Sequence, residues 1–254
     1  MIPLRLLTLF SVGVILLAAP RLCAAEEQKT GFLNRVSKDA DGTEWKYVLF
    51  IPKDYDGKKA CPLILFLHGA GETGEDGEKQ VKVGLGPVVK KQADTFPFIT
   101  IFPQAHKTPQ GPPRGWAAES DNAKQALAIL DEVEKEYKVD KKRVYLTGLS
   151  MGGYGTWSLA AAHPDKWAAI VPICGGGDPK TAEKFKDIPC WCFHGEADKV
   201  VPVQRSRDMI EALKTAGGKP KYDEYPGVGH NSWVKAYDTK ELYEWLSKQE
   251  RKEK

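Results

Sequence analysis

The chain alternates between two kinds of hydrophobic pattern. Short, nearly continuous apolar runs fall at 45–51, 63–67 (LILFL) and 98–102 (FITIF). Runs of this length, rich in β-branched and aromatic residues, predict strands buried on both faces. Further strands are predicted at 143–147, 169–173, 190–193 and 221–225. Between them lie stretches of helical period. In 122–137, Ala126, Ile129, Leu130 and Val133 share one face, and Asp121 is a candidate N-cap. Another helix follows Ser150 to about His163, a third covers 203–216 and stops at Gly217-Gly218, and a last one lies around 241–247. Strand and helix in alternation predict an α/β fold, a mostly parallel sheet with helices on both faces. No repeat or linker divides the pattern, so one domain is expected over 26–254.

The first 25 residues stand apart from that pattern. Arg5 is followed by an apolar stretch over 6–19, and Cys23-Ala24-Ala25 puts small residues at a cleavage position before Glu26. This is the layout of an export signal, and the stretch is short for a bilayer span. Its removal takes away two arginines and no acid, leaving 35 basic and 34 acidic residues. The expectation is a periplasmic or secreted protein with no stable membrane span after cleavage. With no basic stripe or RNA-binding motif, nucleic acid is not an expected partner. Four cysteines remain after position 25. Cys190 and Cys192 alternate on one predicted strand and point the same way, so a bond between them is not expected. Cys174 and Cys192 could pair across adjacent strand ends; buried free thiols are the other reading.

One turn is chemically pointed. Gly148-Leu149-Ser150-Met151-Gly152 is G-x-S-x-G between a predicted strand and a predicted helix. Glycines flank the serine because strand and helix must approach closely, and the helix N-terminus aims free N–H groups at the hydroxyl. A phosphate loop would need G-x-G-x-x-G or a Lys-Ser/Thr pair, and neither is present. Ser150 is therefore the candidate nucleophile.

A serine needs a base, and the base an orienting acid, here in the chain order serine, acid, histidine. After Ser150 the histidines are His163, His194 and His230. His163 ends the nucleophile helix, where a cation suits the helix dipole. His194 precedes every candidate acid. His230, in the loop Pro226-Gly227-Val228-Gly229, is the expected base. Asp198, in the turn after the 190–193 strand, is the expected acid, with Glu196 as the alternative. All three fall beyond the carboxyl ends of strands, where such sheets gather ligands. The oxyanion donors are expected to be the backbone N–H groups of Ala70, in His68-Gly69-Ala70-Gly71, and of Met151. His68 reads as a buried support. The acidic stretch 72–78 lacks calcium-loop spacing and reads as a solvated loop, so no metal is expected.

These segments, "LHGAGETG", "GLSMGG", "HGEADKVVP" and "YPGVGHNSW", resemble serine α/β-hydrolases of the phospholipase/carboxylesterase type. They look similar to secreted predicted-peptidase, feruloyl-esterase and polyhydroxybutyrate-depolymerase-like esterases. The resemblance spans Trp45 to Leu246 and implies an α/β-hydrolase fold, with Ser150, Asp198 and His230 as triad and Ala70 and Met151 as oxyanion donors. Dienelactone hydrolases look similar but carry cysteine where Ser150 stands.

The resemblance implies a cofactor-independent carboxylic ester hydrolase working through an acyl-enzyme on a small or polysaccharide-linked ester. A peptidase or amidase with the same triad, or a silent hydrolase-like binding protein, are the rival readings. Trp116 and Trp233 are candidate substrate-binding aromatics, each also readable as packing. Family lids are inserted after the strand that follows the nucleophile helix. Here that connection, 175–189, is short, polar and opens with three glycines. No lid domain is expected, and short-chain or aromatic acyl groups are favoured. Substrate identity and oligomeric state stay open.

Overall fold

The computed structural model describes residues 30–107 and 114–252. The expected export signal, residues 1–25, lies outside them. Eight strands form one sheet in the order β1-β2-β4-β3-β5-β6-β7-β8. The strands are β1 (Gly31–Lys38), β2 (Glu44–Ile51), β3 (Cys61–Leu67), β4 (Ile99–Pro103), β5 (Val139–Leu149), β6 (Ala169–Ile173), β7 (Trp191–Gly195) and β8 (Lys221–Tyr225). β1 pairs antiparallel with β2, and β2 with β4; from β4 to β8 every pairing is parallel.

The apolar runs divide by parity. From β2 and β3, Trp45, Tyr47, Leu49, Ile51, Leu63, Leu65 and Leu67 join one buried cluster, while Val48, Phe50, Ile64 and Phe66 join another. Successive side chains on a strand point to opposite faces, so a continuous apolar run feeds two cores. The first core is closed by α2 (Asp121–Glu136), α3 (Met151–Ala162) and α4 (Gln204–Thr215). The second lies under α1 (Leu85–Lys91), α5 (Trp233–Tyr237) and α6 (Lys240–Leu246).

Three of these elements are absent from the sequence expectation: β1, α1 and the short α5. β1 has only a weak pattern: its burial mostly alternates between half-buried and exposed because it is an edge strand paired with β2 alone. α1 carries Gly86 and Pro87 in its first turn, residues that read as loop. The N-cap of α2 is also one residue earlier than expected. Ser120, extended at φ −72°, accepts from the Ala123 N–H at 3.2 Å, and Asp121 is the first helical residue. Asp121 instead places a negative charge in the first turn, where the helix dipole favours it.

The connection 175–189 holds one short 3-10 helix, Pro179–Lys184. Its apolar residues Ala182, Phe185 and Ile188 turn down into the first core, with Phe185 against Trp157. They are spent on packing and do not form a cover. All four described cysteines are free, with Cys174, Cys190 and Cys192 buried.

The capping assignment has a direct test. Ser120→Ala should lower unfolding free energy by about 1 kcal/mol, whereas Asp121→Ala should cost only a few tenths of a kcal/mol. Denaturant titration of both variants measures the difference, and a larger loss for Asp121→Ala would reverse the assignment.

Candidate active site

The parallel strands end in register, and this alignment builds the site. Leu67 lies opposite Gly148, Leu149 opposite Ile173, Ile173 opposite Phe193, and Gly195 opposite Tyr225. The segments after β3, β5, β7 and β8 therefore emerge along one rim of the sheet.

Ser150 sits between β5 and α3 with φ 53° and ψ −115°, a conformation L-residues rarely adopt. It is held by its neighbours: its N–H donates to Ile173 O at 3.0 Å, and its carbonyl accepts from Tyr154 N–H at 3.0 Å. The glycines answer to space. A Cβ on Gly152 would lie 1.9 Å from Leu67 O, and one on Gly153 2.4 Å from Ile173 O. Larger residues would push α3 off the strands and release the strained turn.

From Ser150 a hydrogen-bonded line runs inward. His230 Nε2 lies 3.0 Å from Ser150 Oγ, and His230 Nδ1 lies 2.7 Å from Asp198 Oδ2. Asp198 Oδ1 accepts the N–H groups of Val200 and Val201 at 2.8 and 2.9 Å. Burial alone would push this carboxyl up; the His230 contact and the two N–H groups outweigh it and leave it below its ordinary value. The structure thus brings together Ser150, Asp198 and His230. Glu196 is turned elsewhere: its Oε2 accepts from Gly227 N–H at 3.0 Å and braces the loop that carries His230. Gly195 lets the two loops touch, since a Cβ there would lie 2.3 Å from both Val228 O and Gly229 O.

Ala70 and Met151 each begin a helical turn, so their N–H groups have no partner within it. A Cβ on Gly69 would be 3.7 Å from Ser150 Cβ, which puts the Gly69-Ala70 segment beside the serine. That segment is pinned from behind. His68 is 1% exposed, its Nδ1 2.6 Å from Gly69 O and its Nε2 accepting Ala105 N–H at 2.9 Å. Ala105 in turn accepts from Gly74 N–H at 2.9 Å. The 72–78 stretch read as solvated is better tied than expected, because Gln104 donates to Glu72 O and accepts from Gly77 N–H.

The two tryptophans part company. Trp116 is fully buried, donates its indole N–H to His68 O at 3.0 Å, and packs edge-on against the His68 ring. It is not brought to the rim. Trp233 is half-buried and stands perpendicular to the His230 ring at 5.3 Å. Among the described residues, Cys174, Asp198 and His230 form one group of potential metal ligands with ligand atoms within 4.8 Å. The Asp198 and His230 atoms already bond each other, and burial pushes the Cys174 thiol up to about 12. The cluster is closed by its own hydrogen bonds.

Chain-order reasoning passed over His194. It is fully buried at the end of β7, with Nε2 3.2 Å from Asp198 Oδ2 and Nδ1 2.7 Å from Ser206 Oγ. The signal was present in the four-residue spacing of His194 and Asp198 across the turn, but His194 was weighed only as a base.

With this geometry in hand, the relationships of the chain are clear. The phospholipase/carboxylesterase family model matches residues 55–248, so the chain belongs to that family of α/β-hydrolases. A solved thermostable esterase is 39% identical with a TM-score of 0.78, over 87% of this chain and 63% of that one. The bifunctional acetylxylan esterase/xylanase of Neocallimastix patriciarum is 28% identical over 68% of this chain, which spans only 26% of that enzyme's length. A probable feruloyl esterase C of Aspergillus terreus is 26% identical over 84% of this chain and 76% of its own.

Burial holds His68 neutral, lowering its pKa from 6.5 to about 4. The unfolded chain binds that proton at higher pH than the folded one, so stability rises with pH between these values. The contribution is complete above about pH 6.5 and is lost as pH falls toward 4, amounting to about 3 kcal/mol. Urea unfolding across this range should show the loss. His68→Gln should be weaker at neutral pH yet flatter in its pH dependence; an unchanged slope would assign the titration to other groups.

Proposed function

We propose that this protein is an exported carboxylic ester hydrolase acting through Ser150, His230 and Asp198. The observation that carries the reading is the unbroken line from Ser150 Oγ through both ring nitrogens of His230 to the Asp198 carboxylate. Family membership and the esterase names of its relatives support the reaction class. The export reading rests on residues 1–25 alone.

With its Nδ1 proton held by Asp198, His230 presents a lone pair at Nε2. Ser150 Oγ attacks the ester carbonyl carbon as Nε2 takes the hydroxyl proton. The carbonyl π electrons move to oxygen, and the oxyanion is received by the N–H groups of Ala70 and Met151. Collapse breaks the bond to the alcohol, which leaves with the proton from Nε2. Water, deprotonated by the same nitrogen, then attacks the Ser150 ester and releases the acid. The chemistry closes without a cofactor. Trp233, beside the base, offers a face to an aromatic or sugar portion of the substrate.

Ser150→Ala and His230→Ala should each lower kcat for p-nitrophenyl acetate by on the order of 10³-fold or more, and Asp198→Asn somewhat less, with unfolding midpoints retained. Near-full activity in Ser150→Ala would sink the reading.

The second expectation concerns acyl length. Each buried CH₂ contributes about 0.8 kcal/mol only when it leaves water, and the 175–189 connection supplies no apolar cover. Across p-nitrophenyl esters of rising chain length, together with methyl ferulate, kcat/KM should be highest for short or aromatic acyl groups. A maximum at the long-chain end would mean that another segment covers the cleft.

A further inference from the structure

We infer that His194 is a positioning residue for Asp198, acting through its Nε2–H, an inference that rests on the triad reading above. His194 is 0% exposed, and its two ring nitrogens face different chemistry. Nε2 lies 3.0 Å from Val201 O and 3.2 Å from Asp198 Oδ2. Both neighbours are acceptors, so an Nε2 lone pair would face two oxygens with no proton between them. Nε2 therefore carries the proton and shares it between carbonyl and carboxylate. Nδ1 is then the acceptor, and Ser206, 2.7 Å away, supplies the hydroxyl proton. Burial keeps the ring neutral, which leaves Nδ1 free to accept.

The arrangement explains how the acid is held. Val201 offers its N–H to Asp198 Oδ1 and its carbonyl to His194, so one residue is gripped from both ends. The carboxylate is thereby surrounded: two backbone N–H groups on Oδ1, and His230 and His194 on Oδ2. Without the His194 proton, Oδ1 keeps its two backbone N–H groups, but Oδ2 loses the second donor that holds it toward His230 Nδ1. Ser206, on α4, also lies 3.2 Å from Gly175 O beyond β6. The hydroxyl has one proton, and with Nδ1 as its acceptor at 2.7 Å the Gly175 O contact is not a second hydrogen bond. His194 never reaches Ser150, and its effect passes through Asp198 to the base.

Three measurements test this. ¹⁵N NMR of the wild-type protein should find His194 neutral with the proton on Nε2; a proton on Nδ1 would overturn the inference whatever the variants do. His194→Phe, which fills the site with no donor, should lower kcat for p-nitrophenyl acetate by about 10-fold with KM within about two-fold. His194→Gln, whose amide can donate toward Asp198 while accepting from Ser206, should restore most of that loss. Equal losses in both variants, or a change in KM alone, would make His194 mere filling. Should His194→Phe fail to fold, His194→Leu serves, because it too removes the Nε2–H donor. A kcat equal to wild type in that variant would overturn the inference. Ser150→Ala run beside them separates the two readings: full activity there defeats the triad, whereas an inactive Ser150→Ala with an active His194→Phe defeats only the role of His194.

Discussion

Everything chemical in this molecule depends on one backbone conformation, the positive φ of Ser150. A non-glycine residue there carries strain on the order of 1–3 kcal/mol, and it stays only because its surroundings leave no alternative. Those surroundings are the contacts of α3 with β3 and β6, made at backbone distance through Gly152 and Gly153. The turn lifts the hydroxyl off the end of β5 and starts α3 beneath it, so Ser150 Oγ and the free N–H of Met151 are set by one bend. Glycine is required at those contacts by space, and serine at the apex by chemistry.

The remaining groups are set by how the strands end. A parallel sheet with staggered termini would scatter the serine, acid and histidine; here the carboxyl ends run level from β3 to β8. Each loop then makes a single short excursion over the rim. The loops after β7 and β8 lean on one another at Gly195 and through Glu196, so Asp198 and His230 are carried on mutually supporting segments. His68 performs a similar service for the segment after β3, tying it to the end of β4.

Much of this was legible in the residues. Central strands declared themselves because burial on both faces demands continuous apolar runs, as in 63–67 and 98–102, and the G-x-S-x-G turn advertised a steric problem only glycine solves. Chain order then singled out His230 and Asp198; the structure places His230 against Ser150 and Asp198 against His230. Edge and rim features were harder. β1 buries too little to carry a clear alternation, and α1 begins with residues that mimic a loop. Trp116 and Trp233 looked alike in sequence, yet one is sealed beneath His68 and the other borders His230, a difference decided by tertiary packing. For His194 the spacing to Asp198 was legible, but its other partners, Val201 and Ser206, are set by the turn and by α4.

The order in which the chain lays down its sheet has a kinetic consequence. Ser150 follows a central strand, whereas Asp198 and His230 follow the last two strands, at the sheet's far edge. Ser150 and His230 are 80 positions apart in sequence, and parallel pairing requires a long excursion of chain to close before any contact forms. The contacts that hold the Ser150 turn lie in β3, β6 and α3 and do not involve β8. Until β8 docks, Ser150 has no imidazole beside it, so on the proposed reading the chain is inert while it is still being assembled.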